Sequence, residues 1–185
     1  MKLRWFLLCV FSFFPLASQG EIFADSSGIS GNGYVGIHYS GLRYEEDTSF
    51  KAHQPGAIFR VGYEIGDYLG VEGQLGSGLH DDNINGVSIG VDYLASIYLR
   101  GNIFLWDPQA RLYGLVGVTR GKVTAKAFGL SSSLTDTEMS YGIGVELYGN
   151  SRNAFSLEFM RYLDGEDNGV NYTVDAFNIG YIHRF

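Results

Sequence analysis

The sequence predicts an all-β fold, an eight-stranded antiparallel up-and-down transmembrane β-barrel, and three observations carry that prediction. The first is the closing stretch Asn178-Ile179-Gly180-Tyr181-Ile182-His183-Arg184-Phe185. Phe177, Ile179, Tyr181 and Phe185 alternate with Ala176, Asn178, Gly180 and Arg184, and alternate side chains of a strand point to opposite faces. One face is apolar and the other mostly polar, which suits a strand with lipid on one side. The second is composition: 26 Gly, 13 Tyr and 13 Phe against 3 Pro in 185 residues. Gly is about double its usual share of roughly 7%. The mix favours strands, tight turns and aromatic belts, and not disorder, which lacks aromatic and β-branched residues. The third is that long polar connections alternate with short turns, as in barrels whose long loops face outward and short turns face the periplasm.

Ahead of the first strand, Lys2 and Arg4 precede an apolar run, Trp5 to Leu16, broken by Ser12 and Pro15. Small residues follow, and Ser18 and Gly20 present a cleavage site after Gly20. This predicts a cleaved signal peptide over residues 1–20, with 1–24 as the alternative. The run is too short for a membrane helix. Residues 21–185 then form one barrel domain of about 165 residues. The sole cysteine, Cys9, lies in the leader, so the barrel is expected to hold no disulfide and no thiol chemistry.

The first strand runs from Gly33 to about Leu42, with Val35, Ile37 and Tyr39 opposing Tyr34, Gly36, His38 and Ser40. The second, about Ala57 to Ile65, sets Phe59, Val61 and Tyr63 against Arg60, Gly62 and Glu64. Gly66-Asp67 makes a tight turn into the third, Tyr68 to Leu79, where Leu69, Val71 and Leu75 oppose Glu72, Gln74 and Gly76. The fourth starts at Val87 and reaches Leu99 or beyond. Val87, Ile89, Val91, Tyr93, Ala95, Ile97 and Leu99 form one face, and Ser88, Gly90, Asp92, Ser96 and Arg100 the other.

The fifth strand, Arg111 to Lys126, is ambiguous, with Tyr113 and Leu115 on one face and Leu112, Val116 and Val118 on the other. Tyr113 and Leu115 are expected outward, because that turns Arg120 and Lys122 away from lipid; a bulge would allow either choice. The sixth, Met139 to Tyr148, sets Tyr141, Ile143 and Leu147 against Ser140, Gly142, Gly144 and Glu146. The seventh, Phe155 to Leu163, sets Phe155, Leu157 and Phe159 against Ser156 and Glu158, and the eighth runs from Thr173 to Phe185. Tyr44–Gly56, His80–Asn85, Ala127–Thr137 and Asp164–Tyr172 are expected to be loops.

A sheet crosses hydrocarbon only as a closed barrel, because every backbone polar group must be paired. A soluble small barrel, the alternative fold, fills its interior with Val, Leu and Phe. Here the less apolar faces carry Gly, Ser and charge. Inside a narrow barrel those small residues leave room for charged side chains to cross and pair. The expected lumen charge network is Arg60, Glu64, Glu72, Asp92, Arg100, Glu146, Glu158 and Arg184, with Arg120 as a possible member. Tyr68, Phe104, Trp106, Tyr113, Tyr148, Phe155 and Phe185 fall near the short-turn ends, where an interfacial girdle belongs.

On these residues the chain resembles the small eight-stranded outer-membrane barrels, the family of the OmpA barrel domain, OmpX, Ail and the Opa proteins. The resemblance spans the mature chain. It implies residence in the outer membrane of a Gram-negative cell among lipid and lipopolysaccharide. It also implies a C-terminal signal read by the barrel-assembly machinery, carried over to Asn178, Gly180, Tyr181 and Phe185. His183 departs from that pattern, which usually has an aromatic or large apolar residue there. No peptidoglycan-binding domain follows Phe185, so tethering of the OmpA kind is not expected.

Fold alone does not give function. An eight-stranded barrel filled by side chains is too narrow for an open pore. The net charge of −7 argues against a nucleic-acid partner. The expected role is structural or surface-interacting and non-enzymatic. The protein is expected to be a monomer that needs no cofactor or metal and meets host or cell-surface ligands through its outer loops. Those loops carry Glu45-Glu46-Asp47, Asp81-Asp82, and Asp164 with Glu166-Asp167, which could bridge Mg²⁺ or Ca²⁺ or simply be solvated. Two alternatives stand beside this. One is a lipid A-modifying enzyme built on His38 and Ser40, spaced as a base and a nucleophile on one strand face, against a plain hydrogen-bonded lumen pair. The other is a small gated ion-conducting barrel. His53, His80 and His183 show no metal spacing.

Overall fold

The computed structural model describes residues 32–46, 51–84, 87–106, 109–127, 130–167 and 169–185. The predicted leader, Cys9, Asp47, Asn85 and the Asp107-Pro108 turn lie outside them. The strands are β1 (Gly33–Glu46), β2 (Lys51–Glu64), β3 (Leu69–Gly78), β4 (Asp82–Ile84), β5 (Val87–Trp106), β6 (Ala110–Ala127), β7 (Leu130–Tyr148), β8 (Asn153–Asp167) and β9 (Val170–Arg184). All pairings are antiparallel between neighbours in the sequence, except that β3 pairs with β5 and β9 returns to β1. Eight long strands thus close a barrel, and β4 is a short hairpin arm on β5. The closing seam is continuous, from Tyr34 opposite Arg184 to Glu46 opposite Tyr172. The β2–β3 turn depends on Gly66, whose φ of 79° is open to glycine and strained for side-chain-bearing residues. Ile65 N–H closes the turn on the Leu69 carbonyl at 2.7 Å.

The outer face carries an apolar band. Ile37, Phe59, Val71, Ile97, Val116, Ile143, Leu157 and Ile179 are among its exposed members. The strands run well past that band. β5 has 20 residues and β7 has 19, about twice the 9–11 that a tilted strand needs to cross hydrocarbon. Most of the surplus stands beyond the lipid on the long-loop side. Much of Tyr44–Gly56, Ala127–Thr137 and Asp164–Tyr172, expected as loop, is therefore strand. Ser131, Ser132 and Ser133 pair with Lys126, Ala125 and Thr124. The ladder supplies their backbone hydrogen bonds, and no apolar face is required of them.

Two facings differ from expectation. Within β5 the register slips between Val91 and Tyr93, so Asp92 is an extra bulged residue. Side-chain parity reverses there: Ile89 and Val91 are buried inward, whereas Tyr93, Ile97 and Leu99 face out. In β6, Tyr113 and Leu115 point inward and are buried, while Val116 and Val118 face out. Arg120 and Lys122 consequently face outward as well. They escape lipid by height, lying beyond Val118 toward the loop end.

The interior has two layers. Around the loop-side half, Leu42, Ile58, Ile89, Val91, Leu94, Val123, Met160, Leu163 and Val174 pack into an apolar cluster. Around the short-turn half four arginines and four glutamates are buried, alongside Tyr34, Tyr113, Ala154 and Ile182.

Candidate functional site: the charged lumen and the outer rim

Alternating faces on β2, β3, β5, β6, β7, β8 and β9 aim one acid for each base into the short-turn half. Arg60, Arg100, Arg111 and Arg184 meet Glu64, Glu72, Glu146 and Glu158, and all are buried. The pairs form one connected chain. Arg184 Nη2 donates to Glu64 Oε1 at 2.8 Å, and Arg111 also pairs with Glu64. Arg184 Nη2 lies 3.4 Å from Glu146 Oε2, and Arg100 pairs with the other oxygen of that carboxylate. Arg100 Nη1 reaches Glu72 Oε2 at 3.1 Å. Arg60 bridges Glu72, at 3.4 Å, and Glu158, at 2.7 Å.

Hydroxyls and amides add hydrogen bonds to these carboxylates, while Arg60 Nε, Arg111 Nε and Arg184 Nη1 have no hydrogen-bond partner among the described residues. Tyr34 donates to Glu72 at 2.5 Å and Tyr148 to Glu146 at 2.5 Å. Tyr113 donates to Glu158 at 2.9 Å. Gln74 donates to Glu72 at 2.7 Å and Asn178 to Glu158 at 2.8 Å. The Arg100 guanidinium also lies 3.9 Å from the Tyr113 ring centroid, a cation–π contact. Buried charges persist when each is paired and hydrogen-bonded. Glycines make the room: a Cβ on Gly62 would sit 2.1 Å from Tyr34 Cζ, and one on Gly144 2.4 Å from the Tyr113 hydroxyl.

Of the residues expected in the lumen network, Arg60, Glu64, Glu72, Arg100, Glu146, Glu158 and Arg184 come together there. Asp92 does not. Its bulge places it on the outer surface, where Lys122 lies at 3.2 Å and Thr124 donates to it at 2.8 Å. Arg120 is exposed. Arg111, not singled out from sequence, enters the lumen with the inward face of β6.

The expected girdle divides too. Tyr68, Phe155 and Phe185 are exposed at the short-turn end. Tyr113 and Tyr148 turn into the network, and Phe104 lies under the Arg111 guanidinium at 5.0 Å. The side chain of Trp106 lies outside the described residues. In the closing strand Asn178 is buried in the lumen, Tyr181 and Phe185 face out, and Gly180 has room only for hydrogen, since a Cβ would meet His38 at 2.3 Å. His183 is exposed at the rim. Its Nδ1 lies 2.8 Å from Asn153 Oδ1, which also accepts from Tyr181 at 2.5 Å. This bond to the neighbouring strand accommodates an imidazole at the outward-facing rim.

His38 and Ser40 are both buried in the lumen, and neither ring nitrogen of His38 nor Ser40 Oγ has a hydrogen-bond partner among the described residues. They do not form a base–nucleophile pair, nor the hydrogen-bonded pair expected otherwise. At the outer rim the acids are largely met by bases and donors. Glu45 pairs with Lys51 at 2.6 Å and with Arg43. Lys126 reaches Asp81 at 3.2 Å, and His53 N–H donates to Asp82 at 2.8 Å. Arg161 reaches Asp164 at 3.3 Å. Among the described residues, no three His, Cys, Asp or Glu gather where they could hold a metal. Lys51 donates a hydrogen bond to the Glu45 carboxyl, which this and the neighbouring Arg43 hold below the usual carboxylate range.

Residues 6–185 match the family described as Outer membrane protein beta-barrel domain. The chain belongs to that family. It is an outer-membrane barrel of the Gram-negative envelope. It is 32% identical over 137 residues to the attachment invasion locus protein of Yersinia enterocolitica, covering 71% of this chain and 72% of that protein. Neisserial surface protein A superposes with a TM-score of 0.70 at 13% identity, covering 83% of this chain and 97% of that one. The Yersinia pestis attachment invasion locus protein, Ail, crystallised with the heparin analogue sucrose octasulfate, superposes with a TM-score of 0.59 at 20% identity, covering 83% and 99%.

Proposed function

We propose that this protein is a non-enzymatic surface-interaction barrel whose working part is the rim of strand extensions standing above the lipid. The observation that carries this reading is the filling of the lumen. A paired charged layer and an apolar layer lie in series, so the interior is spent on holding the barrel shut and the outer rim is what remains to meet a partner. The relatives named for attachment and invasion point the same way.

The chemistry of the rim selects among partners. Glu45, Glu46, Asp81, Asp82, Asp136, Glu138, Asp164 and Glu166 outnumber Arg43, Lys51, Arg120, Lys122, Lys126 and Arg161, in line with a net charge of −7. A sulfated polyanion of the kind bound to the Yersinia pestis relative is poorly matched to this surface; a cationic or divalent-bridged cell-surface partner suits it better. Arg120 and Lys122 face outward just above Val118, at the height where lipopolysaccharide phosphates meet the barrel wall, and support contact with that lipid. Asn178, Gly180, Tyr181 and Phe185 are the segment we assign to the assembly machinery. The leader over residues 1–20 fits export, and N-terminal sequencing of membrane-extracted protein checks it.

Adherence of cells displaying the full chain tests the main reading. Replacing residues 123–134, the tip of the β6–β7 hairpin, with a short turn is expected to abolish adherence to a host-type cell layer. Heat-modifiable gel migration reports whether the barrel still folds. Unchanged adherence by a folded variant rejects the proposal.

A further inference from the structure

The ladder between β7 and β8 stops part-way up the barrel. Its pairs run from Tyr148 opposite Ala154 to Tyr141 opposite Arg161. Above that point β7 continues through residues 130–140, paired throughout with β6. β8 continues with β9 instead, as far as Asp167 opposite Val170. The register of β8 slips between Arg161 and Leu163, so Tyr162 is an extra residue, and a bulge of this kind bends its strand and ends pairing. A side-chain bond from the Tyr172 hydroxyl to Asp136, at 2.8 Å, crosses the gap without forming a ladder.

The β8-facing edge of β7 is thus an unpaired strand edge standing above the lipid. Tyr148 N–H donates toward β6, to the Gln109 carbonyl at 2.8 Å. Successive residues of a strand turn their backbone groups to opposite edges, so Ser133, Thr135, Thr137 and Met139 aim theirs at the free edge. Thr137 bears this out: its N–H donates to the Asp136 carboxylate at 2.7 Å, a side chain standing where a neighbouring strand's carbonyl would. Exposed edges are ordinarily blunted by Lys, Pro, bulges or shortness. Residues 130–140 contain no Lys, Arg, Pro or Gly, and their pairing with β6 has no register slip.

The side chains beside this edge select the strand that would fill it. Leu134, Asp136 and Glu138 lie on the partly buried face, and Ser133, Thr135 and Thr137 on the exposed one. Opposite charges directly across a strand pair attract and like charges repel. The matching strand carries Lys or Arg at every second position, with β-branched residues between. A second copy of this chain fits poorly. Strands of such barrels tilt about 35–45°, and a two-fold axis along the membrane normal would cross the two edges at about twice that angle. We propose, on the surface-interaction reading, that the free edge of β7 binds an extended segment of a partner polypeptide by strand addition, its alternate basic side chains facing Asp136 and Glu138.

The test uses the folded full chain in phosphatidylcholine nanodiscs, with empty nanodiscs as the blank. The probe is a capped peptide of alternating threonine and lysine, about ten residues long, enough to run beside the edge. Amide shifts of Ser133, Thr135 and Thr137 are expected to saturate, and hydrogen exchange there to slow. Methylating every second peptide nitrogen removes the donors of one edge. Methylation of one alternate set is expected to abolish binding and of the other set to leave it intact. A peptide of alternating threonine and glutamate is expected to bind about tenfold more weakly, the scale of two reversed cross-strand charge pairs. Thr137→Pro deletes an edge donor and no bond to β6, and is expected to abolish binding. Heat-modifiable migration verifies folding, and Thr135→Pro replaces that variant if it fails. Binding indifferent to both methylated sets overturns the proposal, since charge alone would then hold the peptide. So does unchanged binding by the folded proline variant, or the absence of a saturable shift. Dimers of the full chain that separate in Thr137→Pro would assign the edge to a second copy and overturn it too. Adherence that is lost with the hairpin tip while no peptide binds would reject strand addition and leave the surface role standing.

Discussion

The two halves of the lumen solve one packing problem in opposite ways. The loop-side half is packed like a soluble core, with Leu94, Met160, Leu163 and Val174 almost wholly buried. The short-turn half holds Arg60, Arg100, Arg111 and Arg184 against four glutamates, all buried, Glu64 the least so. Apolar side chains stabilise by leaving water and need no particular partner. Buried ions stabilise only as a complete set, because each one left alone keeps its desolvation cost. The apolar half should therefore degrade gradually under mutation and the charged half abruptly.

Glu146 should give the largest effect. It is shared by Arg100, Arg184 and, at 4.0 Å, Arg111, and Tyr148 donates to it. Glu146→Ala leaves three buried cations short of a counter-charge. The expected loss is about 3–5 kcal/mol, read from urea unfolding of the protein folded into lipid vesicles. A loss below 1 kcal/mol (about a fivefold change in equilibrium) would mean that water screens this layer, and the contrast between the halves would collapse.

Leu94→Ala tests the other half. Leu94 packs in the apolar cluster, and its truncation is expected to cost about 2–4 kcal/mol by lost burial and a cavity. The same variant separates stability from conduction in a planar bilayer recording. If the apolar layer seals the lumen, the wild type and Glu146→Gln are both silent and only thinning of the apolar layer, as in Leu94→Ala or its pairing with Met160→Ala, raises conductance. Conductance in the wild type that is lost in Glu146→Gln would instead make the charged half a gate.

The same contrast explains what the sequence made legible. On β2, β3, β7, β8 and β9 a period of two separates apolar from polar residues, and Arg60, Glu72, Glu146, Glu158 and Arg184 could be assigned inward from that alone. On β6 both faces are apolar near the middle, with Tyr113 and Leu115 against Leu112, Val116 and Val118. The choice there is made across the barrel, by Glu158 and Ser156 meeting the Tyr113 hydroxyl. Those partners lie more than forty positions away in the chain, and a local pattern does not contain them. Asp92 fails for a related reason. Gly90-Val91-Asp92-Tyr93 reads equally well in either parity, and only the pairing with Val123 and Lys122 reveals the slip. The Ser-rich start of β7 was hidden because its order comes from a ladder with β6 and not from its own apolar face.

Outside both halves, at the rim, electrostatics should matter least, and Glu45 gives the measurement. Its carboxyl is held below the usual range by Lys51 and Arg43, but the group is solvated, so salt and water screen the pair. A depressed folded-state pKa contributes stability above the unfolded-state pKa, and that contribution is lost as pH falls through the folded-state value. The stability gap between the wild type and Glu45→Gln is therefore expected to be small at neutral pH and to close on acidification. It should also shrink as ionic strength rises past the point where the screening length falls below about 8 Å. A gap that persists at acid pH or in high salt would show that Glu45 acts through packing and not through charge. The rim would then resemble the apolar half of the lumen, where a residue's contribution does not depend on its charge.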